Sequence, residues 1–203
     1  SIPYRIYGGV RFYERLEIKN AIAYLRVIFN NNDNPSFERS ISNPTRGVGE
    51  KTLSKIRNTA KQYNLSYIKA SAKLIDEGSI SGRGGSGLRD YLEFIAGCKA
   101  FIEDNLLSEL MELIIKDSGL YAYHAKEPGE KGKTRTENLE ELITATKNFE
   151  QSIKEDKPNI EIAESYLDII SLDSGDRQAS EHDDAAQLMT MHSAKGLEFK
   201  LVL

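Results

Sequence analysis

The chain of 203 residues has one cysteine, no tryptophan, three histidines and five prolines. A single thiol, Cys98, excludes an internal disulfide and any cysteine-rich zinc site, and it fits a reducing compartment. His124, His182 and His192 lie far apart in sequence with no ligand spacing, so no metal site is expected. No apolar run approaches the ~20 residues that span a bilayer, and the first residues lack the pattern of a signal peptide. The expectation is a soluble cytoplasmic protein with no membrane partner. With 39% hydrophobic and 29% charged residues, the chain is neither a disordered tail nor a disulfide miniprotein. It is long enough to bury a core without staples, and its length suits one domain or one and a half.

A net charge of -4 argues weakly against nucleic-acid binding, but the total hides an asymmetry. Between residues 44 and 69, Arg46, Lys51, Lys55, Arg57, Lys61 and Lys69 face only Glu50, a balance of +5. Between residues 136 and 184, fourteen acids face Lys147, Lys154, Lys157 and Arg177, a balance of -10. One part can face phosphates while another repels them, or both are ordinary solvated helix faces.

The first nine residues alternate apolar and polar and stop at Gly8-Gly9, which reads as a strand and a turn. From Glu14 to Asn30 the period becomes helical: Ile18, Ala21, Ile22, Leu25, Ile28 and Phe29 form one stripe. The Asn- and Asp-rich run to Asn34-Pro35 breaks it, and a domain boundary is expected there. Helical segments follow to Gly78. Gly82–Gly87 is expected to be a flexible loop; no Gly-Lys-Ser/Thr follows it and no strand precedes it, so it is not a P-loop. Leu88 to Asp104 and Leu106 to Asp117 read as helices, the second stopping at Ser118-Gly119. After a polar turn at Pro128–Gly132, Thr134-Arg-Thr-Glu137 matches a capping box that would start a helix. A last helix is expected from Asn159 to about Leu172, then an acidic linker from Asp173 to Asp184. Gln187 to His192 returns to strand period, followed by a Ser193–Gly196 turn. An opening inside a strand and an end on Lys-Leu-Val-Leu are expected of a fragment of a longer protein.

The sharpest constellation is Asn43-Pro-Thr-Arg-Gly-Val-Gly49-Glu-Lys-Thr-Leu53, between two helical patterns. It reads as the tight turn of a helix-hairpin-helix-like unit. Glycine reaches positive φ cheaply, and without a Cβ it lets backbone N–H groups approach a phosphate. The following helix points its N-terminal amides and positive dipole end at the same place. Thr45 and Thr52 add hydroxyls, Arg46, Lys51 and Lys55 add charge, and Val48 sits between the glycines. Such contacts grip a backbone without reading bases. The alternative is a glycine turn between packed helices with incidental lysines. The stretch Thr190–Phe199 delivers His192, Ser193 and Lys195 into a turn with Gly196, as loops at the C-terminal edge of α/β sheets do, or it is a plain strand–turn–helix junction. No Gly-x-Ser-x-Gly elbow and no Cys-His pairing is present, so hydrolysis carried wholly by this chain is not supported.

His192-Ser-Ala-Lys-Gly-Leu-Glu-Phe199 resembles motif V of superfamily 1 DNA helicases of the UvrD/Rep/PcrA type. Tyr7-Gly-Gly-Val-Arg-Phe-Tyr-Glu-Arg-Leu-Glu-Ile-Lys19 resembles their motif IVa, and Asn43–Gly49 and Gly132–Glu141 resemble stretches of their inserted subdomain 2B. The resemblance implies a mainly α chain: a helical 2B insertion, residues 34–183, flanked by incomplete α/β (RecA-like) pieces of subdomain 2A at 1–33 and 184–203. It implies a parent that uses ATP and Mg2+ to move 3′ to 5′ along single-stranded DNA, opening duplex in repair or replication in the bacterial cytosol. Its partners would be a duplex/single-strand junction, subdomains 1A, 1B and the rest of 2A, and repair or mismatch-repair proteins. Thr45, Arg46, Gly47, Val48, Gly49, Lys51, Thr52 and Lys55 would hold duplex DNA. Arg11, His192 and Lys195 would lie near the single strand or lobe interface, and Glu198 near the nucleotide ribose. No Walker A lysine or Walker B acids are present, so this stretch alone is expected to bind no ATP, to lack catalytic residues and to be inactive. The competing expectation is a protein-interaction or autoinhibitory helical module with no DNA binding of its own. A free-standing helix-hairpin-helix repair domain would have no use for the strand-like ends.

Overall fold

The computed structural model describes residues 4–7, 12–154, 157–175 and 186–189. The chain is mainly α. Helices α1 (Leu16–Phe29), α2 (Asn34–Ser42), α3 (Glu50–Tyr63), α4 (Tyr67–Asp76), α5 (Gly82–Asp104), α6 (Leu107–Asp117), α7 (Leu120–Ala125), α8 (Glu130–Ser152) and α9 (Asn159–Gly175) follow in order. Strands β1 (Tyr4–Tyr7) and β2 (Ala186–Met189) stand before and after them.

Packing divides the chain into two compact units, Ser1–Arg15 with Asp168–Leu203, and Leu16–Leu167. In the first, β1 and β2 pair in parallel, with Tyr4 opposite Ala186 and Tyr7 opposite Met189. A parallel pair needs a crossover between its strands, here the whole helical insertion. The division falls at Arg15–Leu16 rather than at the turn after Asn30. The reason is α1 itself: ten of its fourteen residues are buried, and it packs on α2, α5, α6 and α8. A helix buried nearly all round belongs to the core that covers it.

That core runs through Ile18, Leu25 and Ile28 of α1, Phe37 and Ile41 of α2, Ile56 of α3, Leu88, Tyr91 and Ile102 of α5, and Leu110, Met111 and Ile114 of α6. Local chemistry sets the helix starts. Asp33 accepts from the Ser36 amide at 3.0 Å and the Ser36 hydroxyl at 2.7 Å, with Pro35 inside the first turn of α2. Ser66 caps α4 by accepting from the Lys69 amide. Asn64 ends α3 in the left-handed region at φ 51.

Two expectations are corrected. Gly82–Gly87 is not a loop but the first turns of α5. Two of these glycines are there for proximity: a Cβ on Gly87 would stand 1.9 Å from the Arg46 carbonyl oxygen, and one on Gly85 would stand 2.7 Å from that of Ile80. Helix α8 starts at Glu130, so Thr134–Glu137 is helix interior and not a cap. The Thr136 hydroxyl donates backwards to the Gly132 and Lys133 carbonyls. Only glycine fits at 132 without a shift, because a Cβ there would lie 2.3 Å from the Glu127 carbonyl oxygen.

A polar network joins α1, α7 and α8. Glu127 meets His124 Nδ1 at 2.6 Å and Arg135 Nη1 at 2.5 Å. Arg135 Nε lies 3.6 Å from the buried Glu17, which also accepts from Asn138 Nδ2 at 2.6 Å. The His124 hydrogen bond, aided by the Arg135 charge, pulls the Glu127 carboxyl down to about 2.

Candidate nucleic-acid interface

The connection between α2 and α3 is built from opposed demands on its residues. Gly47 takes φ +75, a conformation L side chains rarely adopt. Gly49 does not: its φ is -94 with ψ 179, and a Cβ there would meet nothing within 4 Å. Both were expected to supply conformational freedom or closeness; only Gly47 does so within the fold. Val48, between them, is buried and pins the connection to the helices below.

Helix α3 begins at Gly49 without a side-chain cap, and α5 begins at Ser81 likewise. The first amides of each helix are left to partners outside it. The two starts are neighbours. A Cβ on Gly84 would lie 3.3 Å from both the Gly47 carbonyl oxygen and Thr52 Oγ1, and the Arg83 side chain lies across Gly47.

The cations divide sharply. Thr45 and Lys51 are exposed beside the turn, and Lys55, also exposed, donates to the Ser79 carbonyl at 3.0 Å. Arg57 is engaged by Glu38 at 2.6 and 2.7 Å and by Glu50 at 2.5 Å. That pairing raises the Arg57 pKa, holds the Glu50 carboxyl below its usual range, and offsets an acid that would otherwise stand alone in the first turn of α3.

Arg46 is the exception to the expected cluster of outward cations. Its Nη1 donates to the Pro44 carbonyl at 2.9 Å and the Ser40 carbonyl at 3.2 Å, and its Nη2 donates to the Ser118 carbonyl at 2.8 Å. Its guanidinium also lies 5.4 Å from the Tyr24 ring centre and 5.6 Å from that of Tyr91. The Tyr24 hydroxyl donates to the Asn43 carbonyl at 2.7 Å, and Tyr91 shares a 2.6 Å bond with Ser40 Oγ. Burial, outweighing the nearby Arg46 charge, pushes the Tyr24 phenol up to about 12 and Tyr91 further, so both stay neutral.

Gly47, Val48, Gly49, Thr52 and the starts of α3 and α5 thus come together, with Thr45, Lys51 and Lys55 around them, while Arg46 turns inward. Arg11, His192, Lys195 and Glu198 lie outside the described residues. Sequence reasoning missed Arg83 and the glycines of α5. The signal was present: Gly84, Gly87, Tyr91, Ile95, Cys98 and Ile102 follow helical spacing, so the glycines continue a stripe rather than interrupt it.

The family model of the UvrD-like helicase C-terminal domain matches residues 1–80 and 90–203, nearly the whole chain. The chain belongs to the UvrD-like helicase C-terminal domain family. DNA helicase II of Escherichia coli (strain K12) is 46% identical over 202 residues, and that of Haemophilus influenzae 44% over 204. ATP-dependent DNA helicase PcrA of Bacillus subtilis (strain 168) is 35% identical over 204. Each alignment covers this chain completely but only 28%, 28% and 27% of the relative, so the chain spans little more than a quarter of their length. The glycine-rich start of α5, where the family match has its gap at residues 81–89, abuts the Arg46–Gly47 backbone within this UvrD-like domain.

Proposed function

We propose that this chain is the duplex-gripping 2B subdomain, with flanking RecA-like 2A segments, of an ATP-dependent 3′–5′ DNA helicase acting in bacterial DNA repair or replication. The observation that carries the reading is the junction of two uncapped helix starts with the Gly47–Gly49 turn. Its amides, the Thr45 and Thr52 hydroxyls and the Lys51, Lys55 and Arg83 charges suit phosphate oxygens of either strand. The open space at Gly49 is where a phosphate would approach the backbone. This is a helix-hairpin-helix-like grip, blind to sequence. The residues at 1–33 and 184–203 remain the proposed 2A pieces, with Arg11, His192 and Lys195 toward the single strand and Glu198 toward the nucleotide ribose.

ATP and Mg2+ serve the longer protein. The one Gly-Lys-Thr run, Gly132–Thr134, lies inside α8 with Glu127 where a phosphate-binding loop needs glycine, and among the described residues no group of three His, Cys, Asp or Glu could hold a metal ion. The described residues therefore do not fit the nucleotide–metal group. Partners of the longer protein would be its other subdomains, the DNA junction and repair proteins.

The test is a fluorescence-anisotropy titration with a short duplex bearing a 3′ single-stranded tail, at several salt concentrations. Three phosphate contacts give a slope of log affinity against log salt of about -3, at ~0.9 per phosphate. Lys51→Ala should reduce the slope by ~0.9. Absence of salt-sensitive binding at low ionic strength would favour the protein-interaction or autoinhibitory module instead.

A further inference from the structure

Arg46 lies at the centre of the proposed grip yet directs its charge away from it. Its three hydrogen bonds end on carbonyls of three separate segments: the last turn of α2, the turn itself, and Ser118 just beyond α6. Carbonyls at helix C-termini carry partial negative charge and have no partner within their helix, so a cation there satisfies both. Tyr24 of α1 and Tyr91 of α5 stand against the guanidinium, and each ties its hydroxyl to the same region, at Asn43 and Ser40. On the outer side, Gly87 lets α5 press on the Arg46 carbonyl oxygen. The backbone of residue 46 is thereby held by α1, α2, α5 and the end of α6 at once, one residue before the left-handed Gly47.

We propose that Arg46 is a positioning residue of the duplex grip: it never meets DNA, and it sets the conformation in which Gly47–Lys51 present their amides. This rests on the reading of the hairpin as a phosphate-binding element. The geometry needs arginine specifically. A planar fork reaches three carbonyls while lying against two rings, whereas the ammonium of lysine is a point charge on a flexible stem. Charge alone does not replace it.

The deciding comparison is Arg46→Lys against Arg46→Gln in the 203-residue chain. Both are read by anisotropy on the tailed duplex at several salt concentrations, by circular dichroism, and by the amide resonances of Gly47 and Gly49 without DNA. A positioning role predicts that both variants keep their helical spectrum and shift the two glycine amides. Both should lose affinity alike, by about tenfold, since each loses the fork that sets the turn, and the charge that Arg46→Gln also removes faces protein carbonyls and not DNA. A direct phosphate contact predicts the opposite: Arg46→Lys near the parent, and Arg46→Gln weaker with a salt slope smaller by ~0.9. That result overturns the proposal, as do unmoved glycine amides. A merely structural arginine would lower the melting temperature while the folded variants bound DNA as before, which also overturns it.

If either Arg46 variant fails to fold, Tyr24→Phe is the milder probe, removing the Asn43 bond while keeping the ring beside the guanidinium. It should shift the Gly47 and Gly49 amides and weaken binding in the same direction, and an unchanged spectrum and affinity would overturn the anchorage. If the parent chain binds no DNA, the reading of the grip fails by itself. The amide shifts then still decide whether Arg46 sets the turn.

Discussion

Gly47 and Gly49 are two residues apart and chemically identical, yet the folded chain asks different things of them. At Gly47, φ +75 makes any L side chain strained, and a Cβ would press on Arg83 Cγ at 2.7 Å. Alanine there should cost about 1–2 kcal/mol, most of it backbone strain because the Arg83 side chain can yield. Gly49 has ordinary extended backbone and open space, so alanine should change stability by no more than about 0.5 kcal/mol. The binding effects should invert that order relative to stability. Gly49→Ala places a methyl group where a phosphate must approach and should weaken duplex binding about tenfold without lowering the melting temperature. Paired thermal melts and anisotropy titrations separate the two; Gly49→Ala binding as tightly as the parent would remove that position from the grip.

At the scale of elements, the helices legible in the sequence were those whose stripes are made of large apolar side chains. Phe37 and Ile41, Leu110 and Ile114, and Ile18 through Ile28 mark their helices by burial alone. What was illegible was the helical use of glycine. Gly82–Gly87 and Gly132 read as breakers because intrinsic propensity disfavours them in helices, and tertiary packing overrode that propensity. The position of Arg46 was equally hidden, since a guanidinium in a basic run looks solvated until three carbonyls and two rings are seen around it. Helix α5 offers an internal comparison of what its glycines do. Gly87→Ala drives a Cβ against the Arg46 carbonyl and should destabilise by about 1–3 kcal/mol. Gly97→Ala lies on the exposed face of the same helix with nothing within 4 Å of the new methyl group. It should stabilise by about 0.5–1 kcal/mol, the ordinary gain of alanine over glycine in a helix. Urea midpoints of both variants check the pair, and equal effects would mean that α5 does not press on the turn.

For the whole molecule, the broad partition into strand, helices and strand was readable from period alone, and β1 and β2 do precede and follow the helices along the chain. The place where packing divides the chain was not, because α1 carries a stripe that the turn after Asn30 separates from α2 in sequence but not in space. What closes α1 onto the far end of that unit is polar: Glu17, Arg135, Asn138, Glu127 and His124 join residues more than a hundred positions apart. This network gives the molecule a stability that depends on acid. Glu127 is held at about 2, below the ordinary carboxylate value of 4.5, by its hydrogen bond to His124 and the charge of Arg135. A carboxyl depressed in the folded state contributes stability above the unfolded pKa and loses it as pH falls through the folded one. The contribution of Glu127 is therefore complete above pH 4.5, declines below it, and is gone under pH of about 2. Glu127→Gln should start less stable at neutral pH and lose less than the parent across that window. The two melting curves should converge toward the acid end, other carboxylates being common to both. Parallel curves would mean that Glu127 does not titrate against folding, and that α1, α7 and α8 are held together by their apolar faces alone.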